Sequence, residues 1–331
     1  MSMKLFTPEK VSTHLDKYII GQLEAKKALG IAIYNHFKRI HNITNDGGAE
    51  LGKSNILMTG PTGSGKTHLT TTFAKSLGLP VFIVDATNLA HSTNLDKAIE
   101  NTFIKLIEAA GGNVNLAEKG IIVIDEIDKS VTGANRESGK GFQHSMLKII
   151  EGTVVNIRIN DLTIPFNTKH VLFIACGTFV ELSKMVKDRL ADSSAGSLTD
   201  DELMKRAGTD DYAKFGFVPE FMGRLPVLVA LSTLTKAELT RVLTEPVNSI
   251  TSQYRKMLAI DGLEVKFAPD ALQEIADQAM TLKTGARGLR TVLEKAMTDI
   301  IFNAPDNSGK RLVITKGIIQ GTEQPTYENK D

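Results

Sequence analysis

Short apolar runs alternate with helix-spaced apolar positions over most of the chain. Between Lys53 and about Leu231 the runs Ile56–Met58, Val81–Val84, Ile121–Ile124 and Val171–Ala175 are wholly apolar and too short for helices. Strands covered by helices on both faces read this way, because neither face meets water. The intervening segments have helical character. The pattern therefore predicts an α/β fold, a mostly parallel sheet with helices on both faces. Ahead of it, Val11–Ile20 and Gln22–Arg39 read as helices broken at Gly21. In the second, Ala25, Ala28, Leu29, Ala32 and Ile33 recur at helical spacing. His41–Gly52 is polar and Gly-rich and reads as a loop.

After Leu231 the pattern changes. Ala237–Arg255, Pro269–Thr281 and Ala286–Phe302 read as helices, with short strands at Glu264–Phe267 and Arg311–Thr315. The tail from Glu323 reads as loose. The expected organisation is N-terminal helices and a linker over 1–50, a large α/β domain over 51–231, a small helical domain over 232–321 and a flexible tail over 322–331.

Composition narrows the possibilities. The 39 Lys and Arg nearly cancel the 38 Asp and Glu, so no global field favours nucleic acid or an anionic membrane. A single cysteine excludes a disulfide framework or a four-cysteine zinc site, and Cys176, after an apolar run, reads as a buried thiol. The histidines lack metal-ligand spacing. No apolar stretch is long enough to span a bilayer, and Met1–Phe6 lacks the apolar core of a signal peptide. The expected location is the cytoplasm.

The chemistry begins after the first apolar run. Gly60-Pro61-Thr62-Gly63-Ser64-Gly65-Lys66-Thr67 is a complete P-loop between a strand and a helix-like stretch, His68 to Leu77. Its glycines let the backbone fold so that N–H groups point at a polyphosphate, and the helix N-terminus adds partial positive charge. Lys66 is expected to reach the β- and γ-phosphates of ATP and Thr67 to hold Mg²⁺. The nucleotide contacts are expected to run from Gly60 to His68. The third run ends abruptly in Asp125-Glu126, and strand ends of such sheets are where ligands sit. Asp125 is then placed for Mg²⁺ and Glu126 for the attacking water. Asp128 and Lys129 read as surface residues or loop supports.

At these residues the chain resembles the AAA+ ATPases and, within them, the ClpX branch, from about Phe6 to Gly321. Tyr18-Ile19-Ile20-Gly21-Gln22 with Ala25-Lys26 is similar to the segment that contacts adenine, which implies Ile20 and Gly21 as nucleotide contacts. Ile124 to Lys129 resembles the Walker B strand. Leu147-Lys148-Ile149-Ile150-Glu151-Gly152-Thr153 is similar to the helix that follows it. Pro219 to Pro226 resembles the arginine-finger box, which implies that Arg224 acts on a neighbouring subunit's ATP. Gly285-Ala286-Arg287 resembles the sensor-2 motif, which implies that Arg287 contacts nucleotide in its own subunit. Thr178 is the nearest polar candidate for sensor 1. The resemblance implies a homo-hexameric ring that uses ATP and Mg²⁺ to unfold or remodel protein substrates.

The chain also departs from that branch. The sequence starts essentially at the ATPase module, so the four-cysteine zinc-binding domain that usually opens members of that branch is not expected in it. Where the family carries a Gly-Tyr-Val-Gly pore loop, this sequence has Thr93-Asn94-Leu95-Asp96 at unchanged length, with Leu95 a partial substitute for the aromatic grip. Leu190 to Asp211 is polar and has no Ile-Gly-Phe type tripeptide, so docking on the ClpP peptidase is not expected. Asn156 to Lys169 lacks the basic Arg-Lys-His loop. Two other classes fit parts of the pattern: an ATP-switched protein that joins or inhibits a genuine ClpX ring, and a nucleic-acid ATPase such as a helicase loader. The balanced charge counts against the second.

Overall fold

The computed structural model describes residues 7–41, 52–76, 78–132, 136–159, 162–190 and 198–329. The chain divides into two compact units, one of Met1–Thr13, Leu23–Pro61 and Lys66–Ser232, the other of His14–Gln22, Thr62–Gly65 and Thr233–Asp331.

The first unit is built on strands β1 (Ile56–Thr59), β2 (Val81–Asp85), β3 (Ile121–Asp125), β4 (Val154–Ile159), β5 (Leu162–Asn167), β6 (Leu172–Gly177) and β7 (Val227–Ala230). Five of them form a parallel sheet in the order β2-β3-β6-β1-β7. All five point the same way, so β1, β3 and β6 deliver their following loops to one edge. The apolar runs become the central strands because their side chains are covered on both faces. Leu57, Ile122, Ile124, Phe173 and Ala175 are buried in one core with Phe103, Leu106, Phe142 and Ile150. β4 and β5 form a separate antiparallel hairpin.

In the second unit β8 (Glu264–Phe267) pairs in parallel with β9 (Lys310–Ile314). Helices Pro269–Thr281 and Ala286–Phe302 pack their apolar stripes, including Ala271, Ile275, Leu289 and Leu293, into this unit's own core. Two expectations fail here. The single helix over 237–255 is two, Lys236–Thr244 and Ile250–Ile260. Pro246 lacks the N–H that a continuous helix would need, and Ser249 caps a new start by accepting from the Ser252 N–H. The tail is not loose throughout. Tyr327–Asn329 forms β10 and pairs antiparallel with β9, with Arg311 bridged to Glu328 at 2.9 Å.

The loop read over 41–52 falls almost wholly outside the described residues, as do Leu77, residues 191–197 of the polar stretch before the arginine-finger box, and the extreme N-terminus.

Candidate nucleotide site

The carboxyl end of the sheet gathers the first set of candidate residues. Thr67, in the first turn of helix Lys66–Ser76, donates its Oγ1 hydrogen to Asp125 Oδ2 at 2.8 Å. Asp125 ends β3, so two residues far apart in sequence present adjacent hard oxygens, the donor type Mg²⁺ prefers. Lys66 is buried and donates to the Gly60 and Pro61 carbonyls at 2.7 and 3.0 Å. Its ammonium thus lies back along its own loop. Gly60, Gly63 and Gly65 have φ of +152, +74 and +96°, conformations that a side chain would strain. Ser64 is buried, and His68 lies exposed in the first helical turn.

Glu126 follows directly and is not glycine, yet its φ is +55° and its ψ +34°. A left-handed backbone at such a residue costs on the order of 1–3 kcal/mol and persists only where the surroundings impose it. Its N–H donates to Asp125 Oδ1 at 2.9 Å, and its carboxylate pairs with Lys129 at 2.7 Å. That contact raises the Lys129 ammonium above its ordinary range, although both side chains are about half exposed. Lys129 therefore leans on the candidate catalytic carboxylate.

Of the two readings given for Asp128, surface residue or loop support, the structure fits the second: it is buried, and its carboxylate accepts from the Thr178 N–H at 3.2 Å, the Thr178 hydroxyl at 3.0 Å and the Phe179 N–H at 3.2 Å. The sensor-1 candidate Thr178, just beyond β6, is thereby fixed to the segment after β3. Cys176 is buried beside Asp125, and burial pushes its thiol pKa up.

Arg224 lies at the other end of the sheet. Its carbonyl accepts from Asn55 Nδ2 at 3.0 Å, and Asn55 immediately precedes β1. The phosphate loop leaves the opposite end of β1, roughly 13 Å away at about 3.3 Å per residue. The Arg224 side chain is half exposed and paired with Glu151. Two buried amides hold this segment. Asn55 Oδ1 also accepts from the Phe173 N–H at 3.1 Å. Gln143 Oε1 accepts from the Val218 N–H at 2.7 Å. Nothing in the local sequence pattern around Asn55, Gln143 or Asp128 marks these roles; each depends on a partner far along the chain.

In the second unit, neighbours of the remaining candidates bond to the loop residues 63 and 64. Gly21 and Gln22 have φ of +64 and +56°, and Gln22 Nε2 donates to the Ser64 carbonyl at 3.4 Å. The Gly63 carbonyl accepts from the Ala286 N–H at 3.1 Å, and a Cβ on Gly63 would collide with the Thr284 carbonyl. Arg287 is exposed in the first turn of helix Ala286–Phe302. Ile20 is buried.

Residues 93–96 correct another reading. They do not form an open loop. Asn94 is the N-cap of helix Leu95–Ala109 and accepts from the Lys97 N–H at 3.0 Å. Ser92 Oγ donates to the Asn94 carbonyl at 2.9 Å. Leu95 packs against the core of the first unit, so it is not displayed as a grip.

Among the described residues no group of His, Cys, Asp and Glu is placed to hold a metal by itself, and no helix is long and apolar enough to cross a membrane. A P-loop that follows β1, an interior strand of the β2-β3-β6-β1-β7 parallel sheet, with Asp125 ending β3 and Glu126 just beyond it, is the arrangement of an AAA+ ATPase. Residues 52–228 match the AAA domain (Cdc48 subfamily), and residues 234–308 match the C-terminal, D2-small domain of ClpB protein. A protein of Borrelia duttonii (strain Ly) named ATP-dependent Clp protease ATP-binding subunit ClpX is 43% identical over 96% of this chain and 79% of its own. The proteins of the same name from Treponema denticola and Porphyromonas gingivalis are 41% and 38% identical, over 95% and 93% of this chain and 81% and 80% of theirs. The chain belongs to the ClpX family of AAA+ ATPases. It binds nucleotide and is an ATP-hydrolysing enzyme.

Proposed function

We propose that this chain is a ring-forming protein unfoldase or remodelling ATPase that works on protein substrates without ClpP. Lys66 and the loop over 60–67 bind the phosphates of ATP, with Ile20, Gly21 and His68 as further contacts and Arg287 reading nucleotide state. Thr67 and Asp125 are the residues that would hold Mg²⁺, which when bound offsets the phosphate charge. Glu126 orients water and takes its proton. The observation that carries the ring is the position of Arg224. It is braced by Asn55 at the amino end of β1, while the phosphate loop leaves the carboxyl end. An extended arginine side chain does not span that strand, so a finger here serves another subunit's nucleotide. Independence from ClpP rests on the polar stretch over 190–211, which offers no apolar tripeptide as an anchor.

The test uses Glu126→Gln protein with ATP, which should retain nucleotide. Sedimentation should show a closed oligomer, and unfolded or tailed polypeptides should co-purify with it. Added ClpP should not co-sediment. A fully active monomer at assay concentration would overturn the ring, and a stable ClpP complex would overturn the independence. Assembly only in mixed rings with a full-length ClpX would favour an ATP-switched partner role.

A further inference from the structure

The Arg224 guanidinium does not hang free in this chain. Among the described residues its one ion pair is with Glu151. Glu151 is the last residue of helix Arg136–Glu151, where the carbonyl end of the helix disfavours a carboxylate. An acid at that end needs a compensating cation, and Arg224 supplies it. The backbone beneath Glu151 is pinned. Gly152 ends the helix at φ +123°, and buried Thr168 ties the Ile149 carbonyl at 2.8 Å to the Thr153 N–H at 2.9 Å. The same helix holds the start of the arginine's segment through fully buried Gln143, which bonds Val218 at 2.7 Å and the Gly216 carbonyl at 3.5 Å. Between these two anchors Phe217 and Phe221 pack ring to ring at 6.1 Å. One helix thus fixes both the backbone that carries Arg224 and the direction of its side chain.

We propose that Glu151 is a positioning residue for Arg224, aiming the guanidinium outward across the subunit boundary. This rests on Arg224 being the finger. A half-exposed pair is weak, which suits a group that must hold an arginine yet let it meet a phosphate.

The test compares Glu151→Ala, Glu151→Gln, Arg224→Ala and Glu151→Ala/Arg224→Ala in steady-state and single-turnover ATP hydrolysis. Fluorescent-nucleotide binding, sedimentation and thermal melting are read on the same samples. Glu151→Ala should lower kcat by about tenfold, within the range that small misplacements of catalytic groups produce. Nucleotide affinity, oligomer size and melting temperature should hold. Glu151→Gln, which keeps the acceptor oxygen, should recover much of the rate, and it carries the test if the alanine variant does not fold. In the Arg224→Ala background the Glu151 change should cost nothing further. Wild-type hydrolysis by Arg224→Ala would remove the finger itself and this proposal with it. Loss in Arg224→Ala but full activity in both Glu151 variants would overturn only the role of Glu151. An undiminished additional loss in the double variant would show that Glu151 acts through something other than Arg224.

Discussion

The two ends of the five-stranded sheet handle polar groups in opposite ways. At the carboxyl end the backbone departs from ordinary conformations at Gly60, Gly63, Gly65 and Glu126, and side chains such as Thr67 and Asp125 meet each other over a half-open floor. At the amino end the polar side chains are buried and used up on backbone carbonyls. Lys53 donates to the Thr168 carbonyl at 2.8 Å, Arg39 to Lys169, His36 meets the Lys119 carbonyl at 3.1 Å and Asn55 donates to Arg224 at 3.0 Å. Desolvation shows in their acidities: burial brings Lys53 down to about 7 and His36 to about 4. The carboxyl end holds groups ready for a ligand. The amino end uses cations as internal struts, and Arg224 is the exception that faces outward. Strain and exposed chemistry at one end stand against desolvated polar groups bonded to backbone carbonyls at the other.

The largest effects should come from the carboxyl end. Lys66→Ala should abolish nucleotide binding, because the phosphates lose their main mobile cation. Glu126→Gln should bind ATP normally and hydrolyse it at least about 100-fold more slowly, the scale of lost general-base assistance. Isothermal binding together with phosphate release separates the two. Wild-type turnover by Glu126→Gln would break the comparison at its root, since the left-handed Glu126 would then serve only the fold.

At the amino end Arg224→Ala should bind ATP as well as wild type but hydrolyse it roughly 10-fold or more slowly, as expected when a charge-stabilising donor is lost. Wild-type activity should rise steeply with protein concentration. Inactive Arg224→Ala subunits doped into wild type should depress the rate more than dilution does. A linear dilution curve would place the function of Arg224 within its own subunit and remove the asymmetry between the ends.

Strands β1, β2, β3, β6, β8 and β9, the mostly parallel sheet and the helix boundaries 269–281 and 286–302 were legible because burial on two faces and helical periodicity are written locally, whereas the β4–β5 hairpin, β7 and β10, with their exposed or mixed positions, were not. The phosphate loop was legible because its spacing states its backbone geometry. The break at Pro246 was readable in principle, since proline lacks a donor, but the apolar spacing on either side masked it. The partners of Asp128, Asn55 and Gln143 were not legible, although Asp128 could be read as a loop support. What these side chains do rests on bonds in which Asp128 pairs with Thr178, Asn55 with Phe173 and Gln143 with Val218, between 50 and 118 residues away, and sequence spacing says nothing of such contacts. Residues 93–96 misled for a related reason. Alignment to a pore loop fixes length, whereas Ser92, Asn94 and Leu95 favour a capped helix start with its apolar residue tucked inward.

That segment sharpens the comparison further, since it follows β2 at the carboxyl end yet behaves like the strutted amino end. Replacing Thr93→Gly, Asn94→Tyr and Asp96→Gly together should remove the Asn94 cap at a cost of about 1 kcal/mol. It should also restore an aromatic that can hold a polypeptide. ATP hydrolysis should stay within about twofold of wild type, while unfolding of a tailed fluorescent protein per ATP consumed should rise several-fold, because pulling must work against roughly 5–15 kcal/mol of native stability. Robust unfolding by the unaltered chain would show that a capped helix start grips well enough.

The smallest effect belongs to the struts. His36 is buried, and that burial, helped by neighbouring Arg39 and Lys53, makes the neutral imidazole the form that fits, although its bond to the Lys119 carbonyl opposes the shift in part. Its folded pKa of about 4 lies below the ordinary value of about 6.5. Between those values the unfolded chain takes up a proton that the folded chain refuses, so stability falls as pH drops through that window. His170 has the same sign and the same window. Lys53, held to about 7, carries the same slope at higher pH, its contribution rising from there towards the ordinary lysine range. His36→Gln keeps an amide donor for the Lys119 carbonyl and cannot titrate. The fall in melting temperature between about pH 7 and about pH 5 should therefore be smaller by a few degrees in His36→Gln than in wild type, a window chosen above the carboxylate range. ATP hydrolysis near neutral pH should be unchanged, because the imidazole is already neutral there and lies at the opposite end of the sheet from Thr67 and Asp125. Identical pH slopes in the two proteins would mean that the buried imidazole of the amino end is solvated after all, and the division between a ligand-ready end and a strutted end would lose its energetic basis.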